Sequence, residues 1–257
     1  MKVYIFGSCS GTEPMPDRHH TSLAVKVGER YYWFDAGEGC SYTAHLCGVD
    51  LLSVSEIFIS HPHMDHVGGL ANLLWTIRKL TVVNKKDPLY GDITVYISNE
   101  RTFDGTLAIL RQTESYYKNN YETRFAKLTD STVFDNGSIK VEAFHNAHLG
   151  QIDGEWQSFS FRISADEKRI IYSGDLKSIT ELDPLLKEGC DMLLMETGHH
   201  LAEDICQYVS SANYPVGSIT FLHHGRAILR DYEGTLARCR AIFPSVNICN
   251  DKDIFDI

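Results

Sequence analysis

The chain has 257 residues, 43% hydrophobic and 23% charged, with a formal net charge of −10. That length can bury a sizeable core, and that composition excludes a disordered or collagen-like chain. The acidic balance argues against broad, non-specific nucleic-acid binding, though not against a local basic groove.

No apolar run reaches the roughly 20 residues of a membrane-spanning helix. The opening Met1-Lys2-Val3-Tyr4-Ile5-Phe6 lacks the layout of a cleavable signal, so a cytoplasmic protein without a membrane partner is expected. The seven cysteines (Cys9, Cys40, Cys47, Cys190, Cys206, Cys239, Cys249) form no C-x-x-C pair. They read as reduced, mostly buried small hydrophobes.

In chain order, Val3-Tyr4-Ile5-Phe6 is a first strand running into the glycine and hydroxyl turn Gly7–Thr12. Residues 23–27 and 31–34 read as a hairpin joined at Gly28-Glu29, ending in the sharp turn Asp35-Ala36-Gly37-Glu38-Gly39. Ser55–Ser60 is a strand that enters His61-Pro62-His63-Met64-Asp65-His66, and Leu70, Leu73, Leu74 and Ile77 follow at helical spacing. Residues 93–97 form a further strand and Thr106–Gln112 a helix. Residues 113–135 are polar and aromatic, with Tyr116, Tyr117, Tyr121 and Phe125, and have no clear period; a substrate-facing loop or an oligomer contact is expected there. Strands resume at 139–144, 159–163, 169–172, 192–195 and 219–222, with helices over 179–187, 201–210 and 228–242 between and after the later ones. Strands first, then strands mixed with helices, favour sheets covered by helices in one domain over residues 1–257.

Three imidazoles and a carboxylate within six residues, at a strand-to-helix junction, suit zinc, manganese or iron better than calcium or magnesium. Other ligand-type residues also close strands: His145 and His148 after 139–144, Asp175 after Tyr172, and His223 and His224 after Leu222. Ligands at the ends of several strands are how a site is built on one rim of a sheet. His145 competes with His148 and His224 with His223; His19, His20 and His45 read as surface or structural residues, and Asp35 as a turn carboxylate or a neighbour of the metals.

These motifs resemble the metallo-β-lactamase fold superfamily, and within it the tRNase Z branch. Gly7-Ser8-Cys9-Ser10-Gly11-Thr12 with Phe34-Asp35-Ala36-Gly37-Glu38-Gly39 resembles that branch's N-terminal pattern, and His61-x-His63-x-Asp65-His66 the superfamily's metal motif. The resemblance implies an α/β (α+β) four-layer αββα sandwich, with two mixed sheets flanked by helices. It also implies two divalent cations, zinc by preference and manganese or iron as alternatives. His61, His63 and His148 would hold one, Asp65, His66 and His223 the other, with Asp175 bridging. Motif spacing favours His148 over His145 and His223 over His224.

The reaction implied is hydrolysis of a phosphodiester by a metal-bridging hydroxide. Gly198-His199 before Ala202-Glu203 resembles the tRNase Z segment whose histidine assists the leaving group, so His199 is read as the acid and Glu196 as its orienting residue. Glu196 and His199 stand only three residues apart, where that branch separates them by a long insertion, and no glycine- and proline-rich tRNA-gripping arm is recognisable. The expected substrate is therefore a small or cyclic phosphodiester or an RNA 3′ end, with a homodimer in keeping with the resemblance. The alternatives are a glyoxalase II-like thioesterase or lactonase and, outside catalysis, a metal-bound ligand sensor.

Overall fold

The computed structural model describes residues 1–113 and 119–257; Tyr116 and Tyr117 lie outside the described residues. The first seven-stranded sheet contains β1 (Lys2–Gly7), β2 (Ser22–Val27), β3 (Arg30–Ala36), β4 (Val54–Phe58), β5 (Ile93–Ile97) and β6 (Thr123–Lys127), with β16 (Ile254–Asp256) beside β1. The second contains β7 (Ser131–Asp135), β8 (Ile139–His145), β11 (Phe159–Ala165), β12 (Lys168–Tyr172), β13 (Cys190–Thr197), β14 (Val216–His224) and β15 (Val246–Ile248). A small hairpin, β9 (Gln151–Ile152) and β10 (Glu155–Trp156), stands between β8 and β11.

Each sheet is antiparallel in one half and parallel in the other: β3, β4, β5 and β6 run parallel in the first, and β12, β13, β14 and β15 in the second. The inner faces meet through Phe34, Phe58, Phe161 and Tyr172, with Phe34 and Phe58 stacked at 4.9 Å. Strand β8 shows the cause: Ile139, Val141 and Ala143 alternate inward, whereas Lys140 and Glu142 face out and Glu142 takes Arg162.

Helices α1 (Cys40–Leu46), α3 (Leu70–Asn84) and α4 (Glu100–Thr113) cover the outer face of the first sheet. On the second lie α5 (Asp183–Glu188), α6 (Ala202–Ser211), α7 (Arg226–Arg230) and α8 (Tyr232–Ile242). This is the αββα sandwich. No helix among the described residues is long and apolar enough to cross a membrane.

Several elements differ from the sequence reading. The stretch without a period contains β6 and β7, each at the edge of its sheet, where half-exposed side chains carry no clean alternation. The helix read over 228–242 is two, because the Asp231 carboxylate accepts the Gly234 N–H and starts α8 afresh. The helix read over 179–187 opens as a 3₁₀ turn, Ile179–Leu182, capped reciprocally by Ser178 and Glu181.

Candidate metal centre

The histidine motif leaves β4 at Ser60, and Met64–Val67 forms a short helix, α2, before α3. Asp175 follows β12, Glu196 lies near the end of β13, His223 near the end of β14, and His148 in the loop after β8. All lie at the carboxyl ends of their strands, on one rim where the two sheets meet.

Two sets of donor atoms converge there. His61 Nε2 stands 3.1 Å from His63 Nδ1, and that atom 3.4 Å from His148 Nε2. Asp175 Oδ2 completes this set, 3.6 Å from His61 Nε2 and 3.7 Å from His148 Nε2. The second set uses the other oxygen of the same carboxylate, since Asp175 Oδ1 lies 3.3 Å from both His66 Nε2 and His223 Nε2. Asp65 Oδ2 joins it, 3.1 Å from His223 Nε2 and 3.6 Å from His66 Nε2.

A tetrahedral zinc, with ligands at about 2.0–2.3 Å, sets its donor atoms about 3.3–3.7 Å apart; all but one of the separations given for each set fall in that window, the exceptions being 3.1 Å. Two further facts fit a cation. His66 Nε2 and Asp175 Oδ1 are buried without a hydrogen-bond partner among the described residues, an arrangement that costs energy unless something else satisfies them. And three ring nitrogens of the first set crowd together, His61 Nε2, His63 Nδ1 and His148 Nε2, with neighbouring separations of 3.1 and 3.4 Å. Each set could hold a metal ion, and Asp175, Glu196, His199 and His223 make a third such group among the described residues.

The far sides of two of the rings are also engaged. His61 Nδ1 meets Ser60 Oγ at 3.0 Å. His66 Nδ1 donates to Asp35 Oδ2 at 2.8 Å, and Asp35 also accepts the Ser60 N–H (2.6 Å), the Ser60 hydroxyl (2.7 Å) and the Tyr172 hydroxyl (2.5 Å). Such partners fix the tautomer that leaves Nε2 free for a metal. Two of these positions are strained, Asp35 with φ of 54° and His223 with φ of 52°, and non-glycine residues rarely take such values.

Burial and the neighbouring imidazoles push His61 well below its ordinary pKa, and burial also lowers His148, so both offer lone pairs. On the other side burial lowers the pKa of His223, but Asp175, Asp65 and Glu196 outweigh it and raise it to about 9. Asp175 responds in the opposite sense: burial raises it, and His223 and His66 bring it below the usual carboxylate range.

His199 stands at the mouth of this site, with its ring centroid 4.9 Å from that of His148 and 5.8 Å from that of His223. Its Nδ1 lies 3.1 Å from Glu196 Oε1, and its backbone N–H donates to Oε2 at 2.9 Å. That hydrogen bond is the first cause of a raised His199 pKa. Glu196 is buried, and although burial raises its pKa, the hydrogen bond with His199 and the nearby His223 ring, 3.7 Å away, hold it well below the carboxylate range.

Three of the remaining histidines point elsewhere. His145 pairs with Asp130 at 2.5 Å and stacks on Trp156. His224 is buried against the Cys249 carbonyl oxygen, 2.7 Å from its Nε2, and burial depresses its pKa to about 3. His19 is held by Asp251 at 2.9 Å. The sequence reading gave no role to Asn146, whose Oδ1 accepts the His148 N–H at 3.2 Å; no sequence signal marked it.

A family model described as "Anti-Pycsar protein Apyc1" matches residues 1–205. The chain belongs to that family. Curated relatives of the chain are named Ribonuclease Z. That of Treponema pallidum (strain Nichols) is 37% identical over 90 residues, 35% of this chain and 28% of that protein. That of Pyrococcus abyssi (strain GE5 / Orsay) is 28% identical over 241 residues, 85% of this chain and 75% of that one. The match to the Treponema relative thus spans less than a third of its length.

Among solved structures, the metallo-β-lactamase fold protein YhfI from Bacillus subtilis superposes with a TM-score of 0.75 at 14% identity, covering 99% of each chain. The short form of human tRNase Z gives 0.69 at 18% identity, covering 100% of this chain and 99% of that one. At these identities they establish the fold: this Apyc1-family chain has the metallo-β-lactamase fold and is related in sequence to ribonuclease Z.

Proposed function

We propose that the protein is a dinuclear metal-dependent phosphodiesterase acting on a small or cyclic phosphodiester. The observation that carries this reading is Asp175, whose two oxygens face two separate donor sets. His61, His63 and His148 would hold one divalent cation and Asp65, His66 and His223 the other, zinc being the best match to imidazole and carboxylate donors. When bound, such a pair supplies an activated water and neutralises charge on the phosphoryl oxygens.

The chain's own residues supply the rest. His199, with Nδ1 engaged by Glu196, keeps its other ring nitrogen free to protonate the leaving oxygen as the P–O bond breaks. The Glu196 carboxylate raises the His199 pKa above the ordinary imidazole value, the direction an acid needs. The cavity over the donor atoms is about 290 Å³, lined by Ser10, Gly11, His63, Asp65, His199 and His223 among others, which suits a small diester. The acidic balance of the chain also argues against a folded RNA.

The test is elemental analysis of the purified protein, followed by a panel of bis(p-nitrophenyl) phosphate, cyclic nucleotides, RNA with a 3′ extension, a thioester and a lactone. Metal-dependent cleavage of the small diesters is expected. A metal-loaded protein inert on every phosphodiester but active on the thioester or lactone would overturn the reading in favour of a glyoxalase II-like or lactonase activity. Tight binding without turnover would favour a sensor.

A further inference from the structure

We propose that a second cavity, sharing no lining residue with the one over the donor atoms, binds a small organic cation in which an ammonium group is carried on an apolar body. The cavity is about 430 Å³, within the ~300–1,000 Å³ range of small-molecule sites. Its walls are Phe144 from β8, Trp156 from β10 and Pro184 and Leu185 from α5. Two carboxylates, Asp130 and Glu181, also line it, and no lysine or arginine does.

The indole of Trp156 is held in place, because His145 stacks on it with centroids 4.2 Å apart and planes 13° off parallel, while Asp130 takes the His145 Nδ1 and backbone N–H. Each carboxylate already accepts backbone donors, Glu181 from Ser178 at 2.7 Å and from Ala147 at 2.5 Å. A carboxylate has about four acceptor positions, so both can take a further donor. An anion entering here meets two like charges, and a wholly apolar guest strips water from two carboxylates without replacing it. An ammonium satisfies them, and a tryptophan face is the strongest aromatic partner for a cation.

The cavity is also tied to the metal centre. The Ala147 N–H that Glu181 accepts lies one residue before His148, so a ligand engaging Glu181 bears on His148. An effect on turnover would rest on the function proposed above; binding does not.

The experiment is calorimetric titration of the protein, with no phosphodiester present, using 2-phenylethylammonium, 2-phenylethanol and phenylacetate. The ammonium should bind saturably and on the order of tenfold more tightly than the alcohol, with phenylacetate not binding. Asp130→Asn, which leaves Glu181 in place, should narrow the preference for the cation over the alcohol several-fold. Leu185→Trp, which fills the cavity, should abolish binding; if it unfolds, Trp156→Ala reads the same loss. Absence of saturable ammonium binding, equal affinity for the alcohol in the unmodified protein, or binding unchanged in these variants overturns the proposal.

Discussion

The Asp35→Asn substitution weakens the hydrogen-bond network behind His66 while keeping the shape of the side chain. Asparagine tolerates the positive φ of this position, so the backbone is not perturbed. The side chain keeps its shape but exchanges one acceptor oxygen for an NH₂. The best orientation keeps its oxygen facing His66 Nδ1 and the Ser60 and Tyr172 hydroxyls, which sets the NH₂ against the Ser60 N–H. One unpaired buried donor costs about 1–3 kcal/mol, and turning a charge-assisted bond to His66 into a neutral one costs about 1 kcal/mol more. A loss of about 3 kcal/mol lowers Tm by about 6–12 °C in a chain of this size. Since the bond that fixes the His66 ring becomes a weaker, neutral one, zinc affinity should fall about tenfold. Thermal unfolding and competition with a chelator read the two effects. A Tm within about 2 °C of the unmodified protein, with zinc affinity intact, would refute the argument that Asp35 orients His66.

Other substitutions separate roles. Asp65→Ala should abolish turnover and lower metal content, whereas His199→Ala should slow turnover by about 10²–10⁴-fold with metal retained; equal metal loss in both would make His199 a ligand. Gly198→Ala puts a Cβ 2.6 Å from His223 Nδ1, and because that ring is buried it must move, so activity should drop about 100-fold at unchanged secondary structure by circular dichroism. His224, depressed to about 3 when folded against about 6.5 unfolded, takes up its proton only on unfolding between those values. The stability this contributes is therefore full above about pH 6.5 and lost as pH falls toward 3, at up to about 1.4 kcal/mol per unit. Urea unfolding at pH 7 and pH 5 should show His224→Gln losing about 2 kcal/mol less than the unmodified protein over that interval.

The aromatic and β-branched runs of β1 to β4 and the alternation in β8 were readable because each buries a defined face against a neighbour. Edge strands β6, β7 and β16 were not, since they pack on one side only and their sequences carry no matching signal. The break at Asp231 was equally hidden, because an aspartate within a helical pattern becomes a cap only when its carboxylate turns back to Gly234.

By itself the sequence determined the ligand types, their positions at strand ends and the fold that such a chain takes. Motif spacing favoured His148 and His223 over their neighbours, but it did not show what turns the other two away. That rests on tertiary contacts: Asp130 and Trp156 draw His145 aside, and the Cys249 carbonyl meets His224, while the adjacent Asn146 holds the His148 backbone. Nor could it supply Asp175 with two faces, one toward each donor set. That arises only where the two sheets close on each other, because strand ends far apart in the chain converge there on a single carboxylate.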